Sequence, residues 1–433
     1  MAFRLAAVNW LGRGVAWGAT PTPAVVQSAT ADAAYPPAAL YDGQTSPVCK
    51  WASLDADQYV DVSLNLVPDG DAEQAAVPTE WVVGGGTLTR SNAVAAYKGS
   101  YHFALTPTGV GDALVQIDIT VPAGAFLRLS AATRGNTRTA RFQVVDMERG
   151  GAYYLAADGT WTTSLTWLGS TSAAAWTNTQ VTELRAPTFA LWGRTSGVLR
   201  ITLYNLGNGA STAAVYFDEI LLYPSALDVV ALAGHNLAPT SRLRIQSFAD
   251  YWHGGAATTL WDDATGRFFQ PTAWKLDTAT TITSPYLRVL VSAPGGGTVW
   301  RYPQIAELFL GRTISLPRSV RPDWPIDLSD EQPRSRTRGA LWAQPDLAYP
   351  RRKFPIDFDL AQADDATLWD VIREEMAIAT GMGSSPCLLL PATVEEPTYC
   401  LFGHLRESMQ MTRHPTYREL SWEFEELPVP IVA

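Results

Sequence analysis

The sequence predicts a mainly β protein, with two jelly-roll or β-sandwich domains, one inserted in the other, and a C-terminal α+β domain. Three observations lead there. Short runs alternate apolar and polar residues with period two, as strands do when one face is buried and the other wet. Val115, Ile117 and Ile119 flank Gln116 and Asp118, while Leu199, Ile201 and Leu203 alternate with Arg200 and Thr202. The 433 residues include 33 glycines, 29 prolines, 16 tryptophans and 16 tyrosines, a punctuation that fits many short strands joined by turns. Helical periodicity stands out only over residues 364–381. There Leu368, Val371, Ile372 and Met376 share a face between a capping Asp364 or Asp365 and a terminating Gly381.

Domain limits follow from shifts in composition. Pro68-Asp69-Gly70-Asp71 and the small residues up to Pro78 read as a linker or domain junction, Tyr223-Pro224-Ser225 as a second junction, and residues 311–317 as a third. The block 78–225 holds five tryptophans and 10 basic against 9 acidic residues, a net +1 in a chain of net −10. The expected organisation is residues 1–77 as the first part of one jelly roll, 78–225 as an inserted sandwich, 226–312 as the second part, and 313–433 as the C-terminal domain.

Composition also excludes function classes. With 47% hydrophobic and 17% charged residues the chain is made for packed structure, and its acidic balance disfavours nucleic acid as a partner. Cys49, Cys387 and Cys400 form no C-x-x-C pair, so no disulfide framework is expected, with a Cys387–Cys400 bridge the one pairing left open. Residues 1–14 lack the apolar core of a signal peptide, and no run approaches the roughly 20 apolar residues that cross a bilayer. The expectation is a protein made in a cytoplasm, without membrane insertion.

Three segments carry family resemblance. Tyr35–Gly43, Cys49-Lys50-Trp51 and Tyr59–Leu64, with Val229–Leu237, Arg242–Ile245 and Ile305–Gly311 beyond the insert, resemble the discoidin-like jelly rolls of tailed-phage tail proteins. Tyr97–Phe103 and Val215–Ile220 resemble the opening and closing strands of jelly-roll carbohydrate-binding modules that accompany xylanases and glucanases. In that family the carboxylate of the closing strand helps hold a structural calcium, which makes Asp218 the candidate ligand here; no other cofactor is implied. Residues 313–433 resemble, by pattern, the ring-forming domain of distal tail proteins. The pattern runs from a Pro/Arg-rich lead-in through the strand Lys353–Leu360 and the helix to the strands Pro386–Leu390 and Tyr417–Leu427.

Sugar recognition sets flat aromatic faces against pyranose C–H faces and flanks them with polar groups. The candidate set is Tyr153, Tyr154, Trp161, Trp167, Trp176, Trp192 and Arg141. Large aromatics also fill sandwich cores, but Tyr153 and Tyr154 point to opposite faces of any strand, so one of them lies outside the core. No catalytic constellation is present. His235 has no nucleophile motif beside it, and the adjacent pairs Asp262-Asp263, Asp364-Asp365, Glu374-Glu375 and Glu395-Glu396 cannot face each other across a cleft as glycosidase carboxylates do. Gly84–Gly86 and Gly295–Gly297 lack a phosphate loop's Lys-Ser/Thr and read as turns. Arg334, Arg336, Arg338, Arg351 and Arg352 lie in a domain of net −7, and are candidates for ion pairs between neighbouring subunits.

Together the resemblances imply a structural, non-enzymatic component of a phage tail tip or baseplate. It would form a ring, expected to be a homohexamer, contact tail-tube and hub proteins, and present glycan-binding domains to the host surface. That location is the virion. The alternative is a secreted polysaccharide-targeting enzyme accessory or a free lectin.

Overall fold

In the computed structural model every regular element among the described residues is a β-strand, and every pairing is antiparallel. The described residues are 3–6, 9–10, 25–27, 40, 49–51, 58–186 (except 75 and 123), 196–233 (except 208), 235, 237, 241–250, 254–263, 272–292 and 304–315. Beyond these come 327–329, 335–336, 342–343, 351–361, 387–391, 401–405, 410–413 and 417–427.

Residues 82–224 build a sandwich of two sheets. The seven-stranded sheet runs Trp161–Thr162, Tyr153–Leu155, Thr139–Asp146, Ser196–Leu206, Ala113–Pro122, Val82–Gly84, with Gly169–Thr171 also paired to Thr139–Asp146. The five-stranded sheet runs Thr177–Arg185, Phe126–Arg134, Val215–Pro224, His102–Pro107, Gly86–Ser91. The alternating runs place Val115, Ile117, Leu199, Ile201, Leu203, Phe142 and Val144 in one core with Phe103, Leu105, Leu129, Ala131 and Phe217 of the facing sheet. Gly84-Gly85-Gly86 is the corner where the chain passes from one sheet to the other. Gly85 has φ +70°, and a Cβ there would meet the Asp112 carbonyl oxygen at 2.7 Å.

One end of this sandwich is closed by a buried cation. Arg138, 1% exposed, donates to the Asn205 side chain and to the carbonyls of Val110, Gly111, Asn205 and Ser211. Asn205 Nδ2 then donates across the sandwich to Leu105 O at 2.8 Å. A charge this deep is tolerated because carbonyl acceptors surround it.

Strands from both sides of this sandwich in sequence pair with one another. Gln58–Ser63 lies between Val25–Gln27 and Tyr286–Ser292, and Arg242–Asp250 joins Tyr286–Ser292 to Gly254–Asp263. A three-stranded sheet, Thr272–Thr281, Ala226–Ala233, Glu307–Gly311, lies beside it, and Cys49–Lys50 pairs with Gln304–Ile305. The unbroken apolar run of Ala226–Ala233 has a physical cause. Val230 and Leu232 join the core with Val60, Val62, Ile245 and Val289, while Val229, Ala231 and Ala233 pack with Leu388, Leu390 and Phe402. This strand is covered on both faces, so it needs no polar side.

The regular elements among the described C-terminal residues are all strands, and the helix expected over 364–381 lies outside the described residues. The sheet there runs Ile314–Ser315, Phe3–Ala6, Cys387–Pro391, Leu401–Leu405, Tyr417–Glu426, Arg351–Ala361, Asp327–Ser329, with Gln410–Arg413 also on Tyr417–Glu426. It takes in a strand from the opposite end of the chain. Cys49 and Cys387 are free, buried thiols, which burial pushes up to about 12, so the bridge left open above is not formed.

The first part of the stretch expected as a linker or junction, Pro68 to Ala72, is buried. Residues 64–72 wedge between the central sandwich and its neighbour. Leu66 N–H donates to Leu222 O, Ile220 N–H to Gly70 O, and the Tyr286 hydroxyl to Asp71. A Cβ on Gly70 would meet Ile220 O at 1.8 Å, so this passage admits only glycine. Burial raises the carboxyls gathered here: Asp69 to about 7, Asp71 well above the usual carboxylate range, and Asp218 to about 8.

Two predictions follow from these buried charges. Replacing Arg138 with Met strands several buried carbonyls, and should cost about 3 kcal/mol in urea unfolding; an unchanged midpoint would contradict the clamp. The junction carboxyls ionise near pH 4 in the unfolded chain but hold protons to about pH 7 and 8 in the fold. The folded state then binds more protons between those limits, so stability falls as pH rises through them. Melting temperature should be higher at pH 5 than at pH 8, and Asp71→Asn should flatten that slope. A wild-type slope unchanged in Asp71→Asn would remove Asp71 as its source.

Candidate ligand-binding face

Register assigns one side of the seven-stranded sheet to solvent. Leu114, Tyr204, Arg141 and Ser170 form one row across neighbouring strands, Gln116, Thr202 and Gln143 the next, and Asp118, Arg200, Val145 and Tyr154 a third. Gln116, Asp118, Arg200 and Thr202 are the polar positions of the alternating runs, so the outward sides of two sequence patterns adjoin on one face.

Aromatic rings cover its middle. The Gln143 side-chain amide donates to Thr166 O at 3.3 Å, which anchors the loop before Gly169–Thr171 along the sheet edge. Gly169 is required there because a Cβ would meet the Phe142 ring at 2.7 Å. The loop lays Trp167 edge-on to Tyr204, with centroids 4.8 Å apart and planes at 89°. Arg141 lies 5.2 Å from the Trp167 centroid, and its Nε donates to Ser170 Oγ at 2.9 Å. Burial raises the Tyr204 phenol, with the nearby Tyr154 phenol a smaller contribution in the same direction. Tyr154, Trp167, Tyr204 and Arg141 are all half-buried, while Gln143 and Thr202 lie beneath them, each 3% exposed. At the third row Arg200 grips Asp118 with two hydrogen bonds of 2.7 and 2.8 Å.

The candidate aromatics therefore divide. Tyr154 and Trp167 stand on this face with Arg141. Tyr153 pairs with Asp146 on the inner side, with the Arg149 guanidinium 4.8 Å from its ring. Trp161 packs against the core and donates to Arg185 O at 2.9 Å. Trp176 immediately precedes the strand Thr177–Arg185 of the other sheet, where it donates to Ala95 O at 2.8 Å and meets Tyr97 and His102. Trp192 lies outside the described residues. Tyr204, Arg200, Asp118 and Gln116 were not in the candidate set. The alternation of Leu199, Ile201 and Leu203 already placed Arg200, Thr202 and hence Tyr204 outward.

His102 is fully buried between Trp176 and Tyr216, and burial, with Arg134 second, lowers it to about 4. His235 accepts the Leu237 N–H in a local turn. Arg336 lies in a strand paired to Ala343 and Trp342, and Arg351 and Arg352 begin the strand Arg351–Ala361. Arg334 and Arg338 lie outside the described residues.

Asp218 does not fit the calcium implied by resemblance. Its Oδ2 accepts N–H groups of Tyr97 and Lys98 at 2.8 and 3.1 Å, and its Oδ1 that of Glu219 at 2.8 Å. Glu73 likewise accepts Ser100 and Tyr101 N–H groups, and the Lys98 ammonium sits 3.2 Å from Glu219. Donors occupy the oxygens that a cation would need. Asp218 anchors the 97–101 loop. Among the described residues no group of three or more His, Cys, Asp or Glu side chains could hold a metal ion.

No family model matches the chain, and no curated protein sequence matches it. Solved structures give loose likenesses. A bacteriophage CBA120 tailspike protein 4 domain is 16% identical over 37% of this chain, with TM-score 0.25, and the match spans only 21% of the tailspike chain. The family 22 carbohydrate-binding module of Clostridium thermocellum Xyn10B is 15% identical over 36% of this chain and 91% of its own, with TM-score 0.25. The tandem family 22 modules of Paenibacillus barcinonensis Xyn10C are 9% identical over 57% of this chain and 97% of theirs, with TM-score 0.26. The chemistry of the face stands on its own residues.

Trp161 and Trp176 act as struts in this geometry. Trp176→Ala should lower stability by about 2 kcal/mol in denaturant unfolding. A variant as stable as wild type would overturn that role.

Proposed function

We propose that this chain binds glycans through the outer face of its seven-stranded sheet, as a non-enzymatic component of a tailed-phage tail tip. The observation that carries the binding reading is the meeting of Tyr154, Trp167, Tyr204 and Arg141 on one half-exposed surface. Aromatic planes offer C–H stacking to a pyranose, and Arg141, Gln116 and the Arg200–Asp118 pair offer hydrogen bonds at the margin. Support for binding without turnover comes from the same surface. The carboxylate of Asp118 on this surface is held by two hydrogen bonds from Arg200, which disfavours it as a glycosidase acid or nucleophile.

The tail-tip reading is supported by the sequence resemblances of residues 1–77, 226–312 and 313–433. In that reading residues 313–433 assemble a homohexameric ring that contacts tail tube and hub. Several weak sites on one ring then act together, since linked sites raise effective concentration without new contacts. Native mass spectrometry tests the assembly: six copies support it, and a strict monomer under assembly conditions contradicts it.

A glycan array probed with the full chain tests the binding. Tyr154→Ala and Trp167→Ala should each weaken binding by about tenfold, roughly the 1–1.5 kcal/mol of one aromatic contact, with melting temperature nearly unchanged. Signals that persist in both variants would contradict the face as the binding site.

A further inference from the structure

We infer that this face selects glycans carrying carboxylate sugars, uronates, with Arg141 as the residue that determines the selection. The inference rests on the glycan reading above and adds its chemical class. Two arginines stand on the face, and they differ in one respect. Arg200 is neutralised by a two-bond contact with Asp118. Arg141 gives its Nε to Ser170 Oγ and sets its guanidinium over the Trp167 ring, and it has no carboxylate partner among the described residues.

Other carboxylates of this sandwich have partners of their own. Asp118 is taken by Arg200. Asp112 accepts the Gly207 N–H, and Asp158 accepts from Thr160 at a hairpin turn. Asp146 is fully buried on the inner side, where it accepts the Glu148 N–H and lies 3.3 Å from Arg149. None of these carboxylates compensates Arg141.

Position makes that cation consequential. Arg141 stands opposite Tyr204 in register with its guanidinium over the Trp167 ring, so a sugar that approaches these aromatics meets its two terminal nitrogens as well. A planar guanidinium offers paired N–H donors that match the two oxygens of a carboxylate. A neutral sugar in the same place offers the cation only hydroxyl oxygens, a weaker return for the water it displaces than the two charged oxygens of a carboxylate. The net charge of −10 argues against indiscriminate polyanion binding, since the bulk of the chain repels such polymers.

Native affinity electrophoresis of the full chain tests the inference, using polygalacturonate, the same polymer fully methyl-esterified, and dextran sulfate. Polygalacturonate should retard the chain about tenfold more strongly than its ester, and Arg141→Gln should erase that difference while Arg141→Lys restores part of it. Tyr154→Ala should weaken retention by both polymers. Equal retention by acid and ester, equal retention by dextran sulfate, or an unaltered Arg141→Gln variant would overturn the uronate selection and leave the aromatic face standing. Absence of retention by every polymer also overturns the selection. Joined to a blank glycan array, it removes the glycan reading as well.

Discussion

The strand Ser196–Leu206 holds the structure's functional logic in its register. It pairs along its length with Ala113–Pro122 on one side and Thr139–Asp146 on the other. Side chains alternate with period two, so one choice of register sends Leu199, Ile201 and Leu203 inward and Arg200, Thr202 and Tyr204 outward. A slip of one residue would bury an arginine and a tyrosine and expose three core residues. The hydrophobic core thus fixes which chemistry reaches solvent, and the aromatic face depends on that buried half.

The same reasoning accounts for the ends of the central sandwich. At one end Arg138 and Asn205 satisfy carbonyls that would otherwise be stranded where strands diverge. At the other, residues 64–72 pass beneath Ile220 and Leu222 and carry Asp71 to the Tyr286 hydroxyl of the neighbouring sheet. Buried polar groups tie separate sheets together at both places.

Much of this was legible in the sequence, for local reasons. The runs 115–119 and 198–204 declare their buried and wet sides residue by residue, and the adjacent Tyr153 and Tyr154 have to face opposite ways. What was not legible depends on distant partners. The passage Pro68-Asp69-Gly70-Asp71 has a linker's composition, yet Ile220, about 150 residues later, covers it. Trp176 looks like any other aromatic of the insert, and only Ala95, 81 residues earlier, reveals it as a strut. The apolar run 229–233 announces burial, but not that a C-terminal sheet supplies its second cover.

Side-chain footprinting by hydroxyl radicals, with and without the glycan giving the strongest array signal, tests the central claim most directly. The account predicts that oxidation of Tyr154, Trp167 and Tyr204 falls in the bound state while that of Trp176 and Tyr97 stays unchanged. Protection centred on Trp176 and Tyr97, with Tyr154 and Trp167 still reactive, would place recognition on the opposite sheet and contradict it.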